Sequence, residues 1–195
     1  MKKIDILVVG VGGQGTILTG KVISQVALHE GMDVKTAETY GMAQRGGSVV
    51  THVRIADRVY SPLIPAKDVD FLLAFEQLEA LRYLHLLRPD TTLIINNQAL
   101  APPSVLAGRE HYPENITEKI EDRFSRAHFV NGLQEESVKK NKRVLNVFLV
   151  GILASMLPFS AQSWENALKD TVPALFLPMN TDAFGAGYSW GLKTK

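Results

Sequence analysis

The feature that most restricts how this chain can fold is a glycine-rich turn set between a strand and a helix near its start. Ile4-Asp5-Ile6-Leu7-Val8-Val9 is an apolar, β-branched run; Gly10-Val11-Gly12-Gly13-Gln14-Gly15 follows it, and Leu18, Val22 and Val26 then recur at helical spacing. Glycines at such a junction let the backbone turn sharply and approach a neighbour or ligand closely, and these match the G-x-G-x-x-G template in the context it requires. Gly31 closes the helix, and residues 32–37 predict a second strand, so the chain opens as a right-handed βαβ unit. The expected class is α/β, three-layered and Rossmann-like, with a mostly parallel sheet.

The later segments complete that expectation. Residues 48–55 alternate, with Val49, Thr51, Val53 and Ile55 on one face, and Ala56-Asp57-Arg58 reads as a turn into Val59-Tyr60-Ser61, a hairpin that would make the sheet mixed. Residues 69–75 predict a strand, and 77–87 a helix stopped by Arg88-Pro89-Asp90. Residues 92–95 predict a further strand. A weakly structured stretch runs through Pro102, Pro103 and Gly108 to about Pro113. Asn115-Ile116-Thr117-Glu118 then resembles a capping box opening a short helix to about Phe124, and residues 127–130 form the last strand. The remainder reads as a helical C-terminal cap, with helices over 144–157, 164–168 and 178–188. No repeat or linker interrupts the chain, so residues 1–195 are expected to form one domain.

Composition removes whole classes of chemistry. Cysteine is absent, which excludes disulfides, thiolate nucleophiles, Cys-ligated zinc and Cys-bound iron–sulfur clusters held by this chain. The 21 basic and 20 acidic residues nearly cancel, so no long-range field invites nucleic acid, and the run Lys139, Lys140, Lys142 and Arg143 reads as a solvated helix start. Residues 144–159 are apolar but shorter than the ~20 needed to span a bilayer, and they include Asn146 and Ser155. A buried helix, no membrane association and, with no export signal at the start, a cytoplasmic location are expected. His29, His52, His85, His111 and His128 show no metal-ligand spacing. No G-x-S-x-G elbow exists, and neither Glu76 nor Glu79 has an acid–base partner identifiable from sequence, so a self-contained hydrolase is not supported.

Two stretches carry the candidate site. In the first, Gly12, Gly13, Gln14 and Gly15 form a candidate anion or cofactor site, because the N–H groups from Gly13 to Thr16 would face an anion with the helix dipole behind them. Glu38 lies about twenty residues beyond, near where a dinucleotide fold places its ribose-binding acid. The plainer alternative is that the glycines only permit close strand–helix packing. The second stretch is the loop from Glu38 to Ser48, which crowds Tyr40, Gly41, Arg45, Gly46 and Gly47 at the mouth of a strand. Arg45 suits a bidentate pair with a carboxylate or phosphate; a solvated arginine on a surface turn is the alternative.

Taken together, Gly10-Val11-Gly12-Gly13-Gln14-Gly15 and Tyr40-Gly41-Met42-Ala43-Gln44-Arg45-Gly46-Gly47 resemble the gamma-type domain of pyruvate and 2-oxoacid ferredoxin oxidoreductases. Within that family the chain is most similar to the small (beta) subunits of the indolepyruvate enzymes. Pro62-Leu63-Ile64, Asn146, Gly151, Asn180, Phe184 and Gly187 add weaker support, and the resemblance covers nearly the whole chain. It implies oxidative decarboxylation of a 2-oxoacid to acyl-CoA, with coenzyme A as co-substrate and electrons passed to ferredoxin. It also implies thiamine diphosphate and iron–sulfur clusters on a large partner subunit, with none held by this chain. The Tyr40–Ser48 loop would then face substrate or partner. Two other readings stay open, a stand-alone dinucleotide-binding or sensor module and a purely structural subunit, as does a homodimer of the isolated chain.

Overall fold

The computed structural model describes residues 3–40 and 47–194, with Tyr40 as backbone alone. Six strands, β1 (Ile4–Val11), β2 (Asp33–Tyr40), β3 (Ser48–Ala56), β4 (Val69–Ala74), β5 (Leu87–Asn96) and β6 (Ala127–Val130), form one sheet in the order β2-β3-β1-β4-β5-β6. β1, β4, β5 and β6 pair in parallel, whereas β3 is antiparallel to both β1 and β2. The sheet is thus mostly parallel and mixed, as expected, but for a different reason. Residues 59–61 form no strand; β3 itself enters between β1 and β2, so the two strands of the βαβ opening are parallel without touching.

Among the described residues eight α-helices accompany the sheet: α1 (Thr16–His29), α2 (Gln77–Tyr83), α3 (Pro103–Leu106), α4 (Ile116–Glu121), α5 (Glu136–Lys140), α6 (Leu145–Met156), α7 (Ala161–Thr171) and α8 (Leu177–Lys193). The alternation of strand residues divides the core. Ile6 and Val8 join Val22, Ile23 and Val26 of α1 and the apolar residues of α6 and α7 on one face. Leu7 and Val9 join Leu78 and Ala80 of α2 and Ile116 and Ile120 of α4 on the other. α1 ends as expected at Gly31: with φ at 72° it lets Gly31 N–H reach Leu28 C=O and Met32 N–H reach Ala27 C=O, a Schellman closure.

Three local expectations need correction. The helix after β4 ends at Tyr83 and continues only as a 3-10 turn to Leu86, and Arg88-Pro89-Asp90 lie inside β5. There Val69 pairs with Leu87 but Phe71 with Thr92, so the extra residues bulge outward and the proline's missing N–H costs no ladder bond. Asn115 takes a left-handed conformation and its side chain caps nothing, so the capping box does not form. The basic run closes α5 with Lys139 and Lys140 and continues through a 3-10 turn at Lys142 and Arg143 into α6, rather than opening a helix of its own.

α6 is buried from Leu145 to Ser155, and α8 crosses it at glycines. A methyl group on Gly187 would lie 1.9 Å from the carbonyl oxygen of Phe148, one on Gly151 2.2 Å from that of Phe184, and one on Gly191 2.1 Å from Ser155 Oγ. Backbone thus packs on backbone at this crossing. No helix among the described residues is long and apolar enough to cross a membrane.

Candidate functional site

The carboxyl ends of β1 and β4 part company: the chain leaves β1 through α1 over one face and leaves β4 through α2 over the other. In an open α/β sheet this switch point is where a crevice forms and ligands settle. The glycine turn forms one wall. Gly13 and Gly15 have φ of 99° and 87°, conformations that only glycine adopts without strain. Gly12 N–H donates to Gly47 C=O at 2.9 Å and Gln14 N–H to Val11 C=O at 3.1 Å. Among the described residues, that leaves the N–H groups of Gly13, Gly15 and Thr16 at the positive end of α1.

Gln14 does not point to solvent. Its Oε1 accepts from Val11 N–H at 2.7 Å and its Nε2 donates to Phe75 C=O at 3.3 Å, so the side chain spans the gap between β1 and β4. Asn96, almost fully buried, continues the lacing: Nδ2 donates to the same Phe75 carbonyl at 3.2 Å and Oδ1 accepts from Gly132 N–H at 3.2 Å. Asn97 Nδ2 then donates to Asn131 Oδ1 at 2.9 Å. Neutral amides therefore tie together the ends of β1, β4, β5 and β6.

Behind the turn, Asn146 from the start of α6 packs so tightly on Gly15 that a methyl group there would stand 2.7 Å from Nδ2. Asn146 is 4% exposed, and its buried Oδ1 has no hydrogen-bond partner among the described residues. A buried amide oxygen without a partner beside a helix N-terminus is a group left to be satisfied. In the sequence Asn146 only spoke against a membrane span and supported the resemblance; its place against the glycine turn comes from the tertiary fold.

On the α2 side, Glu76 and Glu79 prove to have partners that sequence could not pair with them. Glu76, fully buried, caps α2 by accepting from Glu79 N–H at 2.8 Å, and its other oxygen accepts from Leu100 N–H at 2.9 Å and Tyr112 OH at 2.5 Å. Burial, followed by the Glu76 carboxylate, pushes the Tyr112 phenol well above its ordinary range, so it stays a donor. Glu79 accepts from Ser48 Oγ and meets Arg82 Nε at 3.3 Å. Burial pushes the Glu79 carboxyl up, and the Ser48 bond and Arg82 oppose that. Ser48, Leu100 and Tyr112 lie 24 to 36 residues from the carboxylates they serve. The only local trace was the E-x-x-E spacing directly after a strand.

The two stretches singled out by sequence therefore converge. Ser48 pairs with Val11, and Gly47 receives the Gly12 hydrogen bond, so the loop re-enters the sheet against the glycine turn. The expectations placed on Gly41, Arg45 and Gly46, and on the Tyr40 side chain, lie outside the described residues. Glu38 fares differently: it pairs with Thr51 of β3, which in turn pairs with Val8. Two strand spacings, about 10 Å, separate it from β1, where a dinucleotide fold would set the acid on the adjacent strand. Among the described residues, no group of three His, Cys, Asp or Glu side chains is placed to hold a metal ion.

Comparison with known proteins agrees with this architecture. The profile of the family described as pyruvate ferredoxin/flavodoxin oxidoreductase matches residues 5–190. The indolepyruvate oxidoreductase subunit IorB of Archaeoglobus fulgidus is 40% identical over 191 residues, covering 96% of this chain and 94% of that protein. The 2-oxoglutarate synthase subunit KorC of Methanothermobacter thermautotrophicus is 28% identical over 193 residues, covering 94% of this chain and 92% of that protein. Among solved structures, the gamma subunit of a keto/oxoacid ferredoxin oxidoreductase from Geobacter sulfurreducens shares the fold, with a TM-score of 0.70, 24% identity and coverage of 97% of this chain and 99% of that one. So does a 2-oxoglutarate:ferredoxin oxidoreductase from Magnetococcus marinus, at TM-score 0.76 and 22% identity; there the match covers 99% of this chain but 32% of that one.

Proposed function

Since the chain belongs to the pyruvate ferredoxin/flavodoxin oxidoreductase family, we propose that it is the small subunit of a cytoplasmic 2-oxoacid:ferredoxin oxidoreductase acting on aryl pyruvates such as indolepyruvate. Residues 1–195 work in this reading as one gamma-type domain. The observation that carries it is the 40% identity to an indolepyruvate oxidoreductase subunit along nearly the full length of both chains. Thiamine diphosphate and iron–sulfur clusters, held by the large subunit, supply the decarboxylation and the electron transfer to ferredoxin.

This chain's part is to bind and orient. The free N–H groups of the Gly12–Gly15 turn, backed by the α1 dipole and by Asn146, are suited to an anionic group of substrate or coenzyme A. Gln14 keeps the turn from collapsing into the sheet by holding both crevice walls at fixed distance. Gly47 and Ser48 fasten one end of the Tyr40–Ser48 loop to that turn, so Arg45, with Gly41 and Gly46, would meet substrate or partner close to the anion-binding groups. The rival dinucleotide module is disfavoured by the strand standing between β1 and Glu38.

The test is reconstitution. Mixed with its large subunit, the chain should form a stable complex that oxidises an aryl pyruvate only when coenzyme A, ferredoxin and both chains are present. Arg45→Lys keeps the charge but loses the fork, and should lower turnover of the assembled enzyme while leaving the melting temperature of this chain nearly unchanged. Wild-type turnover in both Arg45→Lys and Arg45→Ala removes the loop from the site.

A further inference from the structure

On the α2–α4 side of the sheet, toward the amino ends of β4, β5 and β6, lies a cavity of about 360 Å³. Lys67, Arg82, His85 and Arg123 line it around a floor that includes Leu84 and Phe124, and no aspartate or glutamate takes part. Three separate stretches bring these side chains together: the turn before β4, the end of α2 with its 3-10 extension, and the residues that follow α4. The glycine turn lies at the other end of the strands, about 20 Å away along the six residues of β4.

Lys67 is held in place at a cost. Its φ is 68°, a left-handed backbone that a lysine adopts at about 1–2 kcal/mol. The turn is fixed by Lys67 N–H donating to Leu86 C=O at 2.8 Å and Asp68 N–H donating to Pro65 C=O at 3.1 Å. Nearby carboxylates neutralise the cluster only in part: Asp68 pairs with Lys3 at 2.8 Å, and Glu79 pairs with Arg82 alone among the four. Lys67 and Arg123 face the hollow beside Arg82 with no ion pair among the described residues, an arrangement that favours an anion, and non-glycine strain of the kind at Lys67 concentrates at binding sites.

We propose that this cavity binds a phosphorylated small molecule that also carries a planar or apolar portion. The guanidinium groups of Arg82 and Arg123 offer forked donors matched to phosphate oxygens, Lys67 adds a single donor, and the apolar floor takes the ring. The volume falls within the range of small-ligand sites.

Calorimetric titration of the full-length chain with ADP and with inorganic pyrophosphate tests this. ADP should bind saturably at one site and more tightly than pyrophosphate, which cannot cover the floor. Lys67 and Arg123 are exposed, so Lys67→Gly and Arg123→Gln should fold normally and each weaken ADP binding about tenfold or more. Arg123→Lys should fall between. Saturable ADP binding unchanged in Lys67→Gly and Arg123→Gln would place the ligand elsewhere and overturn the proposal, as would absence of binding at millimolar ADP and pyrophosphate. A glutamate-rich peptide that binds more tightly than ADP and is weakened by the same substitutions overturns it in favour of a protein-docking face.

Discussion

Gln14 and Glu79 show how single residues set the state of the glycine turn. Sequence places Gln14 in the glycine turn, but only the fold reveals that its amide is bonded at both ends. Gln14→Ala leaves the last N–H of β1 and one lone pair of Phe75 without their partner and should cost about 1–3 kcal/mol in urea unfolding; an unchanged midpoint would rule out the strut. Glu79 makes a pH prediction. A carboxyl raised above its ordinary value near 4.5 contributes stability that is full below that value and is lost as pH rises through its folded pKa. Glu79→Gln removes the ionisation, so its melting temperature should gain on the parent's as pH climbs from about 4.5 toward neutrality. Parallel curves would contradict this. His52 acts in the opposite sense. Burial, with Arg54 next, depresses its imidazole from 6.5, and its Nδ1 accepts from Ile64 N–H at 3.3 Å. Its contribution is present above pH 6.5 and is lost as pH falls through the depressed value.

At the scale of elements, the α6–α8 crossing separates two glycines that look alike in sequence. Gly187 sits against Phe148 C=O, so Gly187→Ala must push the helices apart and should cost about 3 kcal/mol, the upper end for overpacking. Gly185, two residues earlier on the same helix, is exposed and has nothing within 4 Å of an added methyl group. Gly185→Ala should stabilise by about 0.5–1 kcal/mol through helix propensity alone. Calorimetric melting of both variants checks the pair, and equal effects would mean that the crossing is looser than described. Periodicity located β1, α1, β6 and α6 well, because each carries a mainly apolar pattern that ends at a clear stop. It misread residues 56–61 and 84–91, where turn chemistry was legible but the partner strand that decides between hairpin, bulge and loop was not. Asn115 failed as a cap because its backbone is left-handed where a capping residue is ordinarily extended, and its side chain makes no capping bond.

For the whole molecule, the fold class and the two candidate stretches were legible because glycine spacing and β-branched runs are local signals. The lacing of Gln14 and Asn96, the Glu79–Ser48 bond and the position of Asn146 were not, since each joins residues far apart in the chain. A chain without cysteine also cannot hold an iron–sulfur cluster by thiolates. Purified alone it should be colourless, bind no stoichiometric iron and oxidise no 2-oxoacid; a brown, iron-bearing preparation would overturn this. The place of β3 has one more consequence, in the order in which the chain is made. β1 and β2 each pair with β3 and not with each other, and Ile4 finds its partner only at Ile55. A nascent chain that has emerged only as far as Tyr40 therefore holds two strands and a helix but no ladder. β1 stays unpaired on the ribosome until its β3 partners, Ser48 to Ile55, have emerged, a window in which it depends on α1 for cover.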